Sequence, residues 1–146
     1  RLRKMALRYG IGRQVRFHGA VPDAFPFMAA ADAVLICSRS ESFGRATVEA
    51  MLAGKPVIGA RRGATGELIG EGFNGLLYEP GDWPELADKI RFLREKTDAA
   101  RCLGDNGKAW ARDTFSMERY GKQLSEIFMT LLGSLHGKNT ARRSGA

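Results

Sequence analysis

Two carboxylates, Glu41 and Glu49, stand eight residues apart with Phe43-Gly44 between them. A carboxylate accepts the hydroxyl protons of a vicinal diol, which is what riboses and hexoses present. The run Ala33-Val34-Leu35-Ile36 ahead of the pair is short, apolar and continuous, as a strand buried on both faces is. Residues 38–44 break that run with polar side chains. Good helix formers return at Arg45, and Gly54 with Pro56 two residues later ends them, so a helix is expected over residues 45–53.

That helix would start beside the carboxyl end of the preceding strand, where ligands bind in open α/β sheets. Free N–H groups and the helix dipole at such a place suit a phosphate, and Gly44 lets the backbone approach it closely. Glu41 lies in the loop and Glu49 one turn into the helix, so their carboxylates reach different parts of one ligand. The shape is that of a nucleotide-sugar site. A plainer reading, two acids complementing a helix dipole, stands beside it.

The elements that must position these residues follow in order. Leu2, Met5, Ala6 and Tyr9 recur at helical spacing, so a helix opens the chain. Val15-Arg16-Phe17-His18-Gly19 alternates as a strand does. Residues 22–30 read as a short helix with Phe25, Phe27 and Met28 in the core. Residues 55–59 make the strand after the motif helix, 61–67 a turn, and 74–78 a last strand. Asp82 with Glu85 starts a helix through Leu93. A further helix covers about 98–112, and the stripe Met117, Tyr120, Leu124, Ile127, Phe128, Leu131 and Leu135 marks an amphipathic final helix with a core-facing side. Four strands with helices between them give an α/β fold with a parallel sheet. From residue 135 the chain reads as a basic, irregular tail.

With 146 residues, one domain is expected. The net charge of +7 is concentrated at the ends. Residues 1–16 carry six basic side chains and no acid, and the tail adds Lys138, Arg142 and Arg143, leaving the body slightly acidic. The basic ends lack the interleaved aromatics of a nucleic-acid module and suit an anionic membrane surface better. No apolar run approaches the roughly 18 residues that span a bilayer. The chain therefore reads as soluble and cytoplasmic, with peripheral contact to the inner face of the membrane open to it. Cys37 and Cys102 belong to no metal-ligand spacing, and no metal or cofactor is expected.

Glu41-x7-Glu49 with Phe43-Gly44 inside it, followed by Glu49-Ala50-Met51-x-x-Gly54-x-Pro56-Val57, resembles the retaining group 1 glycosyltransferases of GT-B fold, which include glycogen synthases and bacterial mannosyltransferases. The resemblance implies a Rossmann-like C-terminal half over residues 1–134, incomplete at its N-terminal side. It implies that Glu41 serves at the catalytic position by holding the donor sugar. Ser42, Phe43, Gly44, Arg45 and Ala46 would face the sugar and diphosphate, Glu49 the ribose hydroxyls and Val21 the base. Two departures stand out: Cys37 where the family commonly has proline, and Ala64 in place of a second glycine after Gly63. The family's diphosphate-gripping arginine and lysine precede the matching region, and its acceptor is held by an N-terminal half. The chain is thus expected to be part of a longer enzyme, inactive alone. A nucleotide-binding interaction module without chemistry and a nucleotide-sugar epimerase are the alternatives.

Overall fold

The structure, a computed structural model, describes the backbone of residues 1–39 and 41–143 and the side chains as far as residue 132, apart from residue 40. Helices α1 (Leu2–Arg8) and α2 (Phe25–Ala30) precede β1 (Val34–Ile36), α3 (Arg45–Leu52), β2 (Val57–Ala60), α4 (Gly63–Leu68), β3 (Leu76–Tyr78), α5 (Trp83–Glu95), α6 (Thr97–Thr114) and α7 (Met117–Arg143). The three strands form one parallel sheet in the order β1-β2-β3. Val34 pairs with Val57, and Ile58 with Leu76. The fold is the α/β, Rossmann-like arrangement expected, with helices on both faces of the sheet.

Successive side chains on a strand point to opposite faces, so each apolar strand feeds two cores. Ile36, Val57 and Leu77 pack with Val48, Ala50 and Met51 of α3 on one face. On the other, Ile58, Leu76 and Tyr78 pack with Leu93 of α5 and Leu103 of α6. Every residue of β2 is buried, because it is the central strand. β1 pairs only with β2 among the described residues, and Leu35 on it is 43% exposed. Tyr78 is 2% exposed, and burial, then its hydrogen bond with the Cys37 thiol, pushes the phenol up to about 12.

Five sequence expectations change. Residues 15–19 are not a strand: alternation supplies a face, but a ladder needs a neighbour, and here the segment lies against α1, with the Arg3 guanidinium 5.6 Å from the Phe17 ring centre. Residues 61–67 hold helix α4 where a turn was expected. Phe25 and Phe27 are exposed, leaving Met28 as the core contact of α2. The α7 stripe does not face the core either, since Met117, Tyr120, Ile127 and Phe128 are all more than half exposed. The helix itself continues to Arg143 through the expected irregular tail, whose Lys138, Ala141, Arg142 and Arg143 are good helix formers. Residues 144–146 and the side chain of Leu135 lie outside the described residues.

The expected cap of α5 is present. Asp82 Oδ1 accepts the Glu85 N–H at 2.8 Å, while Glu85 Oε2 accepts from the Glu79 N–H at 2.7 Å, so the acid reaches back beyond the cap residue. On the other side of the sheet, α6 crosses α3 closely enough to need a glycine. A Cβ on Gly104 would stand 2.4 Å from the Gly54 carbonyl oxygen, a backbone atom that cannot rotate away.

Two effects oppose each other in Gly104→Ala. Helix propensity favours alanine by about 1 kcal/mol, whereas overpacking costs about 1–3 kcal/mol. The clash with a backbone atom puts the cost at the upper end, so the variant should melt several degrees below the parent by circular dichroism. An equal or higher melting temperature would mean that α6 sits further from the α3–β2 turn.

Candidate functional site

The carboxyl ends of β1 and β2 open onto two loops, residues 37–44 and 61–62, each of which runs into a helix. Gly44 forms the N-cap of α3 with φ +78°, in the left-handed region that a side chain disfavours. Its carbonyl accepts the N–H groups of Thr47 at 2.9 Å and Val48 at 3.2 Å. No side chain caps the helix. Among the described residues the N–H groups of Arg45 and Ala46 are therefore left without an acceptor, as the first donors of an uncapped helix are.

Such a terminus holds an anion without any change of structure. Arg45 is exposed at its mouth, and Ala46 is half-buried against the core. The Arg45 Nε lies 3.3 Å from Glu49 Oε1, one helical turn on. An exposed pair at this spacing contributes only about 0.3–0.5 kcal/mol, so it orients Glu49 without committing it. A hydroxyl donor competes with it readily.

Glu41 is half-buried, and its backbone is fixed by the start of α4. The Ala64 N–H donates to the Glu41 carbonyl at 3.1 Å. A Cβ on Gly63 would meet that same oxygen at 2.9 Å, so the close approach of the two loops requires glycine there. Ser42 is exposed. Phe43 is exposed too, its ring 5.8 Å from Phe115 in an edge-on contact, and Phe115 in turn lies 5.6 Å from Trp110. These aromatics brace the loop against the end of α6.

The structure thus brings Glu41, Ser42, Phe43, Gly44, Arg45, Ala46 and Glu49 to one loop and helix start, above the end of β1. Val21 is half-buried in the segment ahead of α2 and makes none of the hydrogen bonds that shape this loop. His18 packs its ring 4.7 Å from Phe27, with no carboxylate hydrogen-bonded to it among the described residues. Arg61, a possible phosphate contact by type, is instead engaged by Glu79 at 2.9 Å and Glu71 at 3.4 Å.

Two features escape a reading of the sequence. Thr47 and Thr65, both buried in the first turns of α3 and α4, have hydroxyls with no hydrogen-bond partner among the described residues. Glu71 is the other: a lone acid in a turn, it accepts the Leu77 N–H at 2.6 Å and lies 2.8 Å from Lys89 Nζ. Neither has a spacing that announces it. Among the described residues no group of three or more His, Cys, Asp or Glu side chains is placed to hold a metal ion, and no helix is long and apolar enough to cross a membrane.

The family model for glycosyl transferases group 1 matches residues 1–110. An uncharacterized glycosyltransferase of Methanocaldococcus jannaschii is 40% identical over 105 residues, which are 72% of this chain and 30% of that protein. A D-inositol 3-phosphate glycosyltransferase of Corynebacterium kroppenstedtii is 35% identical over 129 residues, 85% of this chain and 28% of that protein. Among solved structures, HepE of Anabaena in complex with UDP superposes with a TM-score of 0.84 at 37% identity, covering 88% of this chain and 36% of that one. The chain spans about a third of the length of the relatives it matches.

Gly44, which the sequence marks as a glycine for close approach to a phosphate, is also buried, and a Cβ there would stand 2.6 Å from Leu68 Cδ1. Gly44→Val meets both that side chain and the left-handed backbone, at a combined cost of about 2–4 kcal/mol. Its thermal transition should fall well below that of the parent by circular dichroism. A parental melting temperature with lost ligand binding would confine Gly44 to the ligand role.

Proposed function

Because the chain belongs to the group 1 glycosyl transferases, we propose that it is the donor-binding portion of a retaining sugar transferase of GT-B fold, taking a nucleoside diphosphate sugar. The observation that carries this reading is the uncapped N-terminus of α3, with Glu41 on one side and Glu49 on the other. HepE, the structural neighbour described above, has been solved with UDP and with UDP-glucose, which supports a ligand of that class.

As the anomeric bond breaks, negative charge accumulates on the leaving diphosphate. The N–H groups of Arg45 and Ala46 are already aimed outward, so they oppose that charge with no reorganisation during the reaction. Glu49 accepts from the ribose hydroxyls once these displace the weak Arg45 pair. Glu41 holds the donor sugar, and Ser42 and the Phe43-Gly44 backbone line its path. Val21 lies towards the base. Positive side chains and helix amides do the electrostatic work, so the reading calls for no metal and no cofactor. The acceptor is held by an N-terminal half of the full-length enzyme. That enzyme works in the cytoplasm, where the basic residues 1–16 and 138–143 of this chain suit the anionic inner face of a membrane rather than nucleic acid.

Titration of the chain with UDP and GDP by NMR or calorimetry tests this. A hydrogen bond to a charged acceptor contributes about 1.5–3 kcal/mol, so Glu49→Gln should weaken binding of the preferred diphosphate by about tenfold or more. Equal binding by parent and variant would remove Glu49 from the ribose.

The chain alone should transfer no sugar to any acceptor. Holding donor and acceptor together supplies about 7–11 kcal/mol of such a barrier, and that positioning needs the second half. In an enzyme extended with the N-terminal half, transfer should appear and Glu41→Ala should abolish it. Turnover by residues 1–146 alone, followed by product chromatography, would overturn the division of labour.

A further inference from the structure

Arg61 is the first residue beyond β2, and its backbone N–H donates to the Tyr78 carbonyl at 2.9 Å, which ties it to the sheet. Its side chain is tethered separately, by Glu79 Oε1 at 2.9 Å and Glu71 Oε2 at 3.4 Å. Glu71 cannot drift, because the same oxygen accepts the Leu77 N–H at 2.6 Å and its other oxygen lies 2.8 Å from Lys89 Nζ on α5. The turn after Arg61 is tight: the Arg62 N–H donates back to the Ala60 carbonyl at 2.7 Å. Gly63 and Ala64 come next, and it is on these two that the Glu41 backbone rests. An unbroken series of contacts therefore runs from β3 through Glu71, Arg61 and the turn to Glu41.

From this geometry we propose that Glu71 is a positioning residue for Glu41, setting where the donor sugar is held without touching it. The inference rests on the donor-site reading above, in which Glu41 meets the sugar. It follows that Glu71 affects recognition of the sugar more than recognition of the diphosphate, since the N–H groups of Arg45 and Ala46 belong to α3, which is anchored on the core by Val48, Ala50 and Met51.

The test compares affinity for UDP or GDP, whichever the parent chain binds, with affinity for its glucose ester. Glu71→Gln keeps an oxygen for the Leu77 N–H but removes one of the two charges that hold Arg61, leaving Glu79. Partly exposed ion pairs are modest, so the ratio of ester to diphosphate affinity should fall about two- to fivefold. Arg61→Gln, which loses the Glu79 pair as well, should lower the ratio at least as much, the double variant no further than Arg61→Gln, and Lys89→Gln, which leaves the Leu77 N–H on Glu71, by less than Glu71→Gln. Should Glu71→Gln fail to fold by circular dichroism, Arg61→Gln carries the same comparison. A folded Glu71→Gln or Arg61→Gln with the parental ratio overturns the inference and leaves the donor site standing. So does a variant that loses diphosphate and ester affinity in equal measure, which marks a merely structural role. A parent chain that binds neither UDP nor GDP overturns the donor-site reading, and the inference with it.

Discussion

The contact between the Glu41 carbonyl and the start of α4 is the constraint on which the site depends. One N–H, from Ala64, meets that oxygen, and one missing side chain, at Gly63, lets it approach. Without this contact the loop from β1 would be held, among the described residues, only at its ends and through Phe43, and the carboxylate of Glu41 would lose its fixed relation to the N-terminus of α3. Gly44 does the corresponding work on the other side. Its left-handed backbone turns the chain into α3, and its bare Cα accepts the Leu68 side chain of α4. Gly44 at the head of α3 and Leu68 at the far end of α4 thus hold together two helices that follow different strands.

The sheet supplies the other half of the positioning. Because β2 is buried throughout and paired on both edges, the ends of the strands beside it are held in register, and the loops that leave them start from fixed points. The short helix α4, only six residues long, has little stability of its own and is kept in place by these contacts. Rigidity at the site is therefore borrowed from the strands and from the glycines between them.

Much of this was legible in the sequence because the signals were local. The apolar run before Ser38, the polar break, the return of helix formers at Arg45 and the stop at Gly54 each lie within a few residues of what they specify, and α3 forms where they indicate. Features that rest on distant partners were not legible. Gly44 read as a ligand glycine because Leu68, twenty-four positions on, leaves no mark near it. The Val15-x-Phe17 alternation has a strand's period, yet a period cannot supply the neighbouring strand that hydrogen bonding needs. The stripe on α7 was correctly an amphipathic pattern, but the pattern does not say what covers it. Glu71 was invisible for a similar reason, since its three partners come from β2's end, β3 and α5.

The side of β1 left unpaired among the described residues has a practical consequence. Val34, Leu35 and Ile36 bring no charge, proline or bulge to that edge, the devices by which soluble proteins discourage strand-to-strand docking. Backbone donors and acceptors on such an edge invite the same edge of another molecule, and the half-exposed Leu35 beside them adds an apolar incentive. Handled by itself, the chain is expected to self-associate more as its concentration rises, and a strand laid along β1 would cap that edge.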